Sequence, residues 1–268
     1  INLTTVNTLL NRNFTEDELA RYLESVKVKL PEVRNSRDVV LSQVGEYFYE
    51  KFFKNYTYKQ WGVYPEELSP EVTRRIPVRF NTDDRYFSDK YQGLPTEGYT
   101  KLFEKLLNHD NITVLLSTDY KSIIGDVRFD RLIYTGPIDY FFDYKYGRLP
   151  YRSLHFEFET LNREFFQEVA VVNYPNDYDF TRITEFKHMT LQQHPKTTII
   201  REYPRSEGEP YYPMPTAEGT EIYQRYQEEA SVLKSVYFLG RLAEYRYYNM
   251  DQVVKRALEL FNILAREY

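Results

Sequence analysis

The chain predicts an α+β fold, on three observations. Helices dominate the first part of the chain, a cleanly alternating strand stands in the middle, and the last forty residues read strand, loop, helix. The expected organisation is a mainly helical region over 1–95, a mixed region with an antiparallel sheet over 96–240, and a closing helix over 241–268.

Each element has a local reason. Thr15 and Glu18 have capping-box spacing and open a helix to about Val28. A second helix is expected from about Arg37 to Phe53, with Val40, Val44, Tyr47 and Phe48 on one stripe. "NYTYKQWGVYPEELSPE" is turn-rich and aromatic, so it reads as an ordered loop ending in a short helix begun by Pro70. Gly98 to Leu107 carries Leu102, Phe103, Leu106 and Leu107 at helical spacing. "ITVLL" and "RLIYTG" are short apolar runs expected as strands. "SLHFEFETL" alternates, with Leu154, Phe156 and Phe158 opposite His155, Glu157 and Glu159. "VAVVNY", "RITEFKH" and "TTIIREY" follow at hairpin-like intervals, which favours antiparallel pairing. A Pro- and Gly-bearing loop leads to a helix near Glu218 to Ala230, and "SVYFLG" is a last strand. The final helix begins at Asn249, with Gln252 three residues on and Val254, Leu258, Phe261 and Ala265 on one stripe.

Composition excludes several classes. A net charge of −5 opposes general nucleic-acid binding, so any anionic ligand must be held by local arginines. The absence of cysteine removes disulfides, thiolate chemistry and sulfur-bound metals. The longest apolar runs are too short to span a bilayer, and no signal segment opens the chain, so a cytoplasmic location is the expectation. The four histidines make no HExxH or other tight ligand spacing, so no metal is expected. GxSxG is absent, and the ten glycines give no GxGxxG.

What remains is arginine beside aromatics in irregular segments: Tyr56, Trp61, Arg75, Tyr86 and Phe87, then Arg182, then Tyr211 and Tyr212, then Arg241, Tyr247 and Tyr248. Guanidinium forks suit phosphates and aromatic faces suit a base or sugar, although the same pairs also occur as plain packing. Tyrosine is used 27 times against one tryptophan, and its flat face with a polar tip serves either purpose. The helix start at Asn249 is a further anion-favouring feature.

The stretches "YEKFFKNYTYKQWG", "RRIPVRF", "RYFSDKYQGLPTEGYTKLFE", "IYTGPIDYFFDY", "LPYRSLHFEFE", "AVVNY", "TRITEFKH", "TTIIREYP", "EPYYP" and "GRLAEYRYYNMDQV" resemble, in order, the UDP-galactopyranose mutase family. The likeness runs from about Leu41 to about Leu260. It implies a flavoprotein isomerase that interconverts UDP-galactopyranose and UDP-galactofuranose through a covalent adduct of reduced FAD and sugar, commonly as a homodimer. Carried over by motif, Phe52, Tyr56, Thr57 and Trp61 correspond to the uridine segment, with Tyr56 stacking on uracil. Arg75, on a mobile loop, and Arg182 correspond to the arginines on the diphosphate. Tyr86, Tyr212 and Tyr247 correspond to its tyrosine partners, and Asn173 faces the sugar. Arg241, Asn249, Met250, Asp251, Gln252 and Val253 correspond to the flavin side.

Two departures stand out. Asn249-Met250-Asp251 replaces the Asp-Met-His of many members, and the family's amino-terminal GxGxxG unit, with its histidine-bearing loop, has no counterpart here. The resemblance therefore implies a carboxy-terminal portion, inactive alone. The alternatives are a non-catalytic UDP-sugar-binding fragment and a structural, oligomer-forming remnant.

Overall fold

The computed structural model describes residues 1–266. In chain order the elements are α1 (Leu3–Leu10), α2 (Glu16–Val26), α3 (Ser36–Phe48), a π-helical turn (Tyr49–Phe53), α4 (Lys54–Trp61), α5 (Glu71–Arg74), α6 (Gly98–Leu107), α7 (Tyr120–Ile123), β1 (Leu132–Tyr134), α8 (Ile138–Phe141), β2 (Tyr151–Leu161), β3 (Val171–Asn173), β4 (Arg182–Glu185), α9 (Lys187–Thr190), β5 (Thr197–Arg205), β6 (Tyr212–Pro213), α10 (Ala217–Ser231), β7 (Val236–Phe238) and α11 (Met250–Leu264). The expected α+β class holds.

Helices α1 to α3 and the π-turn enclose one core of Val6, Leu19, Leu23, Val40, Val44, Phe48 and Tyr49. The predicted Thr15 capping box is present: the Thr15 N–H donates to Glu18 Oε2 at 2.8 Å, and the Glu18 N–H donates to Thr15 Oγ1 at 3.3 Å. The expected single helix over 37–53 is broken. Gly45 sits at φ 77°, and a Cβ there would lie 2.3 Å from the Val26 carbonyl oxygen, so only glycine lets α2 and α3 approach this closely. The bend also turns Tyr47 to solvent at 43% exposure, off its expected stripe.

The largest correction concerns "NYTYKQWG". It is helix α4 rather than a loop, ended by Gly62 in the left-handed conformation, whose N–H donates to Tyr58 O at 2.8 Å. Its aromatic composition has only middling helix propensity, and the burial of Thr57, Gln60 and Trp61 on one face decides the outcome.

The five-stranded antiparallel sheet runs β3-β4-β5-β2-β6. Its longest pairing sets Ser153 to Leu161 against Arg205 to Thr197, and Asn173 lies directly opposite Arg182. The strands read from "RLIYTG" and "SVYFLG" exist, but as a separate parallel pair, β1 with β7. "ITVLL" forms no strand: Ile112, Val114, Leu115 and Leu116 are exposed and unpaired, since a short apolar run becomes a strand only where a neighbour offers a ladder. On β2 the alternation does not bury a full face, because Phe158 is exposed. Helices α6 and α11 also keep their apolar stripes exposed, including Phe103, Leu106, Val254, Leu258 and Phe261.

Candidate functional site

An aromatic cluster joins three distant parts of the chain. Trp61, at the end of α4, lies 6.2 Å from Tyr212 on β6 and 5.8 Å from Tyr247, while Tyr212 and Tyr247 are 5.5 Å apart, centroid to centroid. Trp61 is held there because α4 packs its last turn on the sheet. Buried Arg152 of β2 donates from Nε to Gln60 O at 3.0 Å and from Nη2 to Lys59 O at 3.3 Å, capping the helix's terminal carbonyls.

Arginines surround this cluster. Arg75 follows α5, and its guanidinium carbon lies 4.3 Å from the Tyr247 ring centroid while Nη2 donates to the Tyr247 hydroxyl at 3.1 Å. α5 is tied back to α3 by Thr73 Oγ1 donating to Ser36 O at 2.9 Å. Arg241 stands over Tyr247 at 4.9 Å and Tyr212 at 5.4 Å, and it is steadied by donation to Tyr248 O and Tyr211 O. Arg182 opens β4 with its Nε 3.2 Å from Glu202 Oε2. That approach makes an ion pair, but its angle is too poor for a hydrogen bond, and Nε has no other acceptor among the described residues.

The charges here are unequal. Burial raises the Glu202 carboxyl pKa and the Arg182 charge pulls it back, so the ion pair only partly offsets desolvation. Burial pushes the Tyr212 hydroxyl up to about 12 and raises that of Tyr56, with Arg182 acting downward on both. These tyrosines are neutral hydrogen-bond donors at physiological pH. Three guanidinium groups, one carboxylate and a set of neutral phenols make a locally positive patch on an acidic protein, suited to a multiply charged anion beside a flat ring.

The predicted residues divide. Tyr56, Trp61, Arg75, Arg182, Tyr212, Arg241 and Tyr247 come together. Asn173 is brought beside them only through its register with Arg182, and it is exposed. Thr57 is buried on the α4 face that packs inward. Tyr86 is exposed and packs edge-on against Phe87, near enough to Tyr56 to contribute to the upward push on that hydroxyl's pKa. Phe52 does not reach the aromatic cluster. It stacks parallel to Phe48 at 6.3 Å and lines a separate groove of about 420 Å³ with Asn2, Thr82 and Asp84. Asn249 caps α11 with its N–H donating to Gln252 Oε1 at 2.8 Å; Met250, Asp251 and Gln252 are exposed and Val253 is half-buried.

Sequence reading missed Glu202, Arg152 and Lys59. Glu202 faces Arg182 only through the β4–β5 register, which no local pattern gives. Arg152 and Lys59 carry cationic side chains with carbonyl partners, and a charge inside a helix or strand pattern gives no hint of that. Among the described residues no group of three or more His, Asp or Glu is placed to hold a metal, and no helix is long and apolar enough to cross a membrane.

The fold is an α+β architecture that brings an arginine–tyrosine cluster together between a helical region and an antiparallel sheet. A crystal structure of reduced UDP-galactopyranose mutase matches with a TM-score of 0.62 at 18% identity, covering 87% of this chain and 67% of that one. The family model for UDP-galactopyranose mutase matches residues 51–247. The "Probable UDP-galactopyranose mutase" of Klebsiella pneumoniae is 39% identical over 97% of this chain and 68% of its own length. The dTDP-fucopyranose mutase of Escherichia coli is 36% identical over 97% of this chain and 72% of its own. The UDP-galactopyranose mutase of Mycoplasma pneumoniae is 32% identical, and the chain spans 59% of it. The chain belongs to the UDP-galactopyranose mutase family.

Proposed function

We propose that the arginine–tyrosine cluster binds a nucleoside diphosphate sugar, and that the protein serves the interconversion of UDP-galactopyranose and UDP-galactofuranose. The observation that carries this is the convergence of Arg75, Arg182 and Arg241 on the neutral tyrosines around Trp61. In this reading Tyr56 stacks on the uracil, with Thr57 on the same helix and Phe52 in the π-helical turn before it supporting that segment, and Trp61 walls the sugar. Tyr86, Tyr212 and Tyr247 donate to the diphosphate, and Asn173 faces the sugar. Arg75 and Arg182 stabilise the charge that grows on UDP as its bond to the anomeric carbon breaks, and their positions cost no reorganisation at that moment. Arg75 is exposed and among the described residues is bound only to Tyr247, so it can exchange that hydroxyl for a phosphate oxygen.

The residues present also fit one edge of a flavin cofactor. Gly240, at φ 97° with nothing within 4 Å of where a Cβ would stand, lets a ligand approach the backbone between β7 and α11. Arg241, Asn249 and the exposed first turn of α11, from Met250 to Val253, would hold that edge. What reduced FAD supplies when bound is an electron pair for the anomeric carbon, with no net oxidation.

The similarity to a dTDP-fucopyranose mutase keeps a thymidine substrate as the second reading. The test is incubation of the protein with UDP-galactofuranose, or with dTDP-fucofuranose, plus FAD reduced by dithionite, followed by chromatography of the sugar nucleotides. Saturable UDP binding, with UDP-galactopyranose formed from UDP-galactofuranose, is the expected result. Tighter binding of dTDP than of UDP would move the assignment to the second substrate, and binding of neither would defeat it.

A further inference from the structure

We propose that Lys59 is a positioning residue that sets the two walls of the site by clamping the β3–β4 turn onto α4. The inference rests on the nucleotide-sugar reading above. Lys59 lies on α4 three residues after Tyr56 and two before Trp61. Its Nζ donates to the carbonyls of Asp177 at 3.0 Å, Tyr178 at 3.2 Å and Phe180 at 3.2 Å, and in closest contact to that of Tyr174. One ammonium with three N–H groups thus serves four carbonyls of a single turn. No carboxylate ion pair holds it among the described residues; burial lowers its pKa, with Asp177 and Asp179 pulling upward.

The turn is shaped to receive this cation. Tyr178 adopts φ 59°, a left-handed conformation that a bulky residue keeps only where its surroundings over-determine it. An uncharged link runs beside the lysine: Asn55 Nδ2 donates to Asn176 Oδ1 at 2.9 Å, and Asn176 Nδ2 donates to Lys51 O at 3.0 Å. The turn itself closes through the Tyr174 N–H donating to Thr181 O at 2.9 Å. Its two ends are Asn173 and Arg182, which face each other in the ladder. Lys59 therefore fixes the distance between the helix that carries Tyr56 and Trp61 and the hairpin that carries Arg182. Charge-assisted bonds to several carbonyls hold a lysine whose chain would otherwise be mobile.

The test compares the parent with Lys59→Met, which keeps the aliphatic stem. Hydrogen exchange without ligand follows the amides of residues 174–181, and titrations give the affinities for UDP and for uridine. Exchange in that turn is expected to rise about tenfold or more while the α1–α3 core stays protected. UDP affinity is expected to fall about tenfold, with uridine changing less than about twofold, because the base contacts stay on α4 while the phosphate contact moves. Unchanged exchange, or UDP and uridine weakening alike, would overturn the proposal. If the parent binds neither ligand, the nucleotide reading is what has failed, and raised exchange in Lys59→Met still supports the clamp. Should Lys59→Met fail to fold, Lys59→Gln, which keeps a polar head but is too short to serve four carbonyls, is expected to shift exchange and UDP affinity in the same directions, and no shift there would overturn the proposal.

Discussion

Removing Arg182 separates binding from stability in a way the geometry makes specific. Arg182→Ala deletes a phosphate donor and at the same time strands Glu202, whose carboxyl is already desolvated and whose counter-charge stands 3.2 Å away. Stranding a fully buried partner costs about 3–5 kcal/mol, but Arg182 keeps 30% of its side chain exposed, so about 1–2 kcal/mol is the fitting range after screening. In a chain of this size that corresponds to a fall in melting temperature of roughly 2–8 °C. The binding loss has a different origin. A charge-assisted hydrogen bond contributes about 1.5–3 kcal/mol, which is roughly 10- to 150-fold in UDP affinity. The double variant Arg182→Ala with Glu202→Gln distinguishes the two effects. It is expected to recover most of the melting temperature and none of the affinity. Scanning fluorimetry and calorimetry read the two quantities on the same samples. Affinity that returns together with stability would refute the direct role of Arg182, because the loss would then come from the stranded carboxylate.

Two further outcomes follow from named contacts. Tyr247→Phe keeps the ring under Arg75 and Arg241 but removes the hydroxyl that accepts from Arg75; UDP affinity is expected to fall by about 2- to 10-fold, and Tyr247→Ala by more, with unchanged affinity in Tyr247→Phe contradicting the hydrogen-bond part of the argument and equal losses contradicting the ring part. The buried Glu185 accepts from Thr197 Oγ1, from the N–H of Phe166 at 2.8 Å and from that of Gln167 at 2.9 Å; burial alone would raise its pKa, but these donors and His188 outweigh it and leave it lowered from 4.5. Its folded pKa lies below its unfolded one, so its stabilisation is full above the unfolded value and is lost as the pH falls through the folded one. Melting temperatures measured from pH 6 down to 3 should therefore fall more steeply in the parent than in Glu185→Gln, and parallel curves would refute this assignment.

Much of the fold is written locally. The Thr15 cap, the strands β2 and β5 and the α10 and α11 helices lie within a few residues of where their sequence signals place them, because caps and alternation act over short range. The failures all involve distant neighbours. α4 looks like a loop until its buried face is matched with the sheet, and "ITVLL" looks like a strand although no ladder reaches it. The candidate site shows the same division. Residue types that suit phosphate and ring recognition were legible at Arg75, Arg182, Tyr212 and Tyr247, and family motifs supplied their grouping. Glu202, Arg152 and Lys59 were not legible, since each acts through main-chain carbonyls or a strand register that only folding brings together. Phe52 shows the reverse case, a motif residue that this fold packs against Phe48 rather than into the cluster.

The most direct test of the nucleotide-site assignment uses the chain's one tryptophan, which stands inside the proposed site. Titration with UDP while exciting Trp61 should give a saturable change in its emission that is weakened in Arg182→Ala and absent with inorganic phosphate. Emission that stays flat while calorimetry records UDP binding would place the nucleotide elsewhere and contradict the assignment.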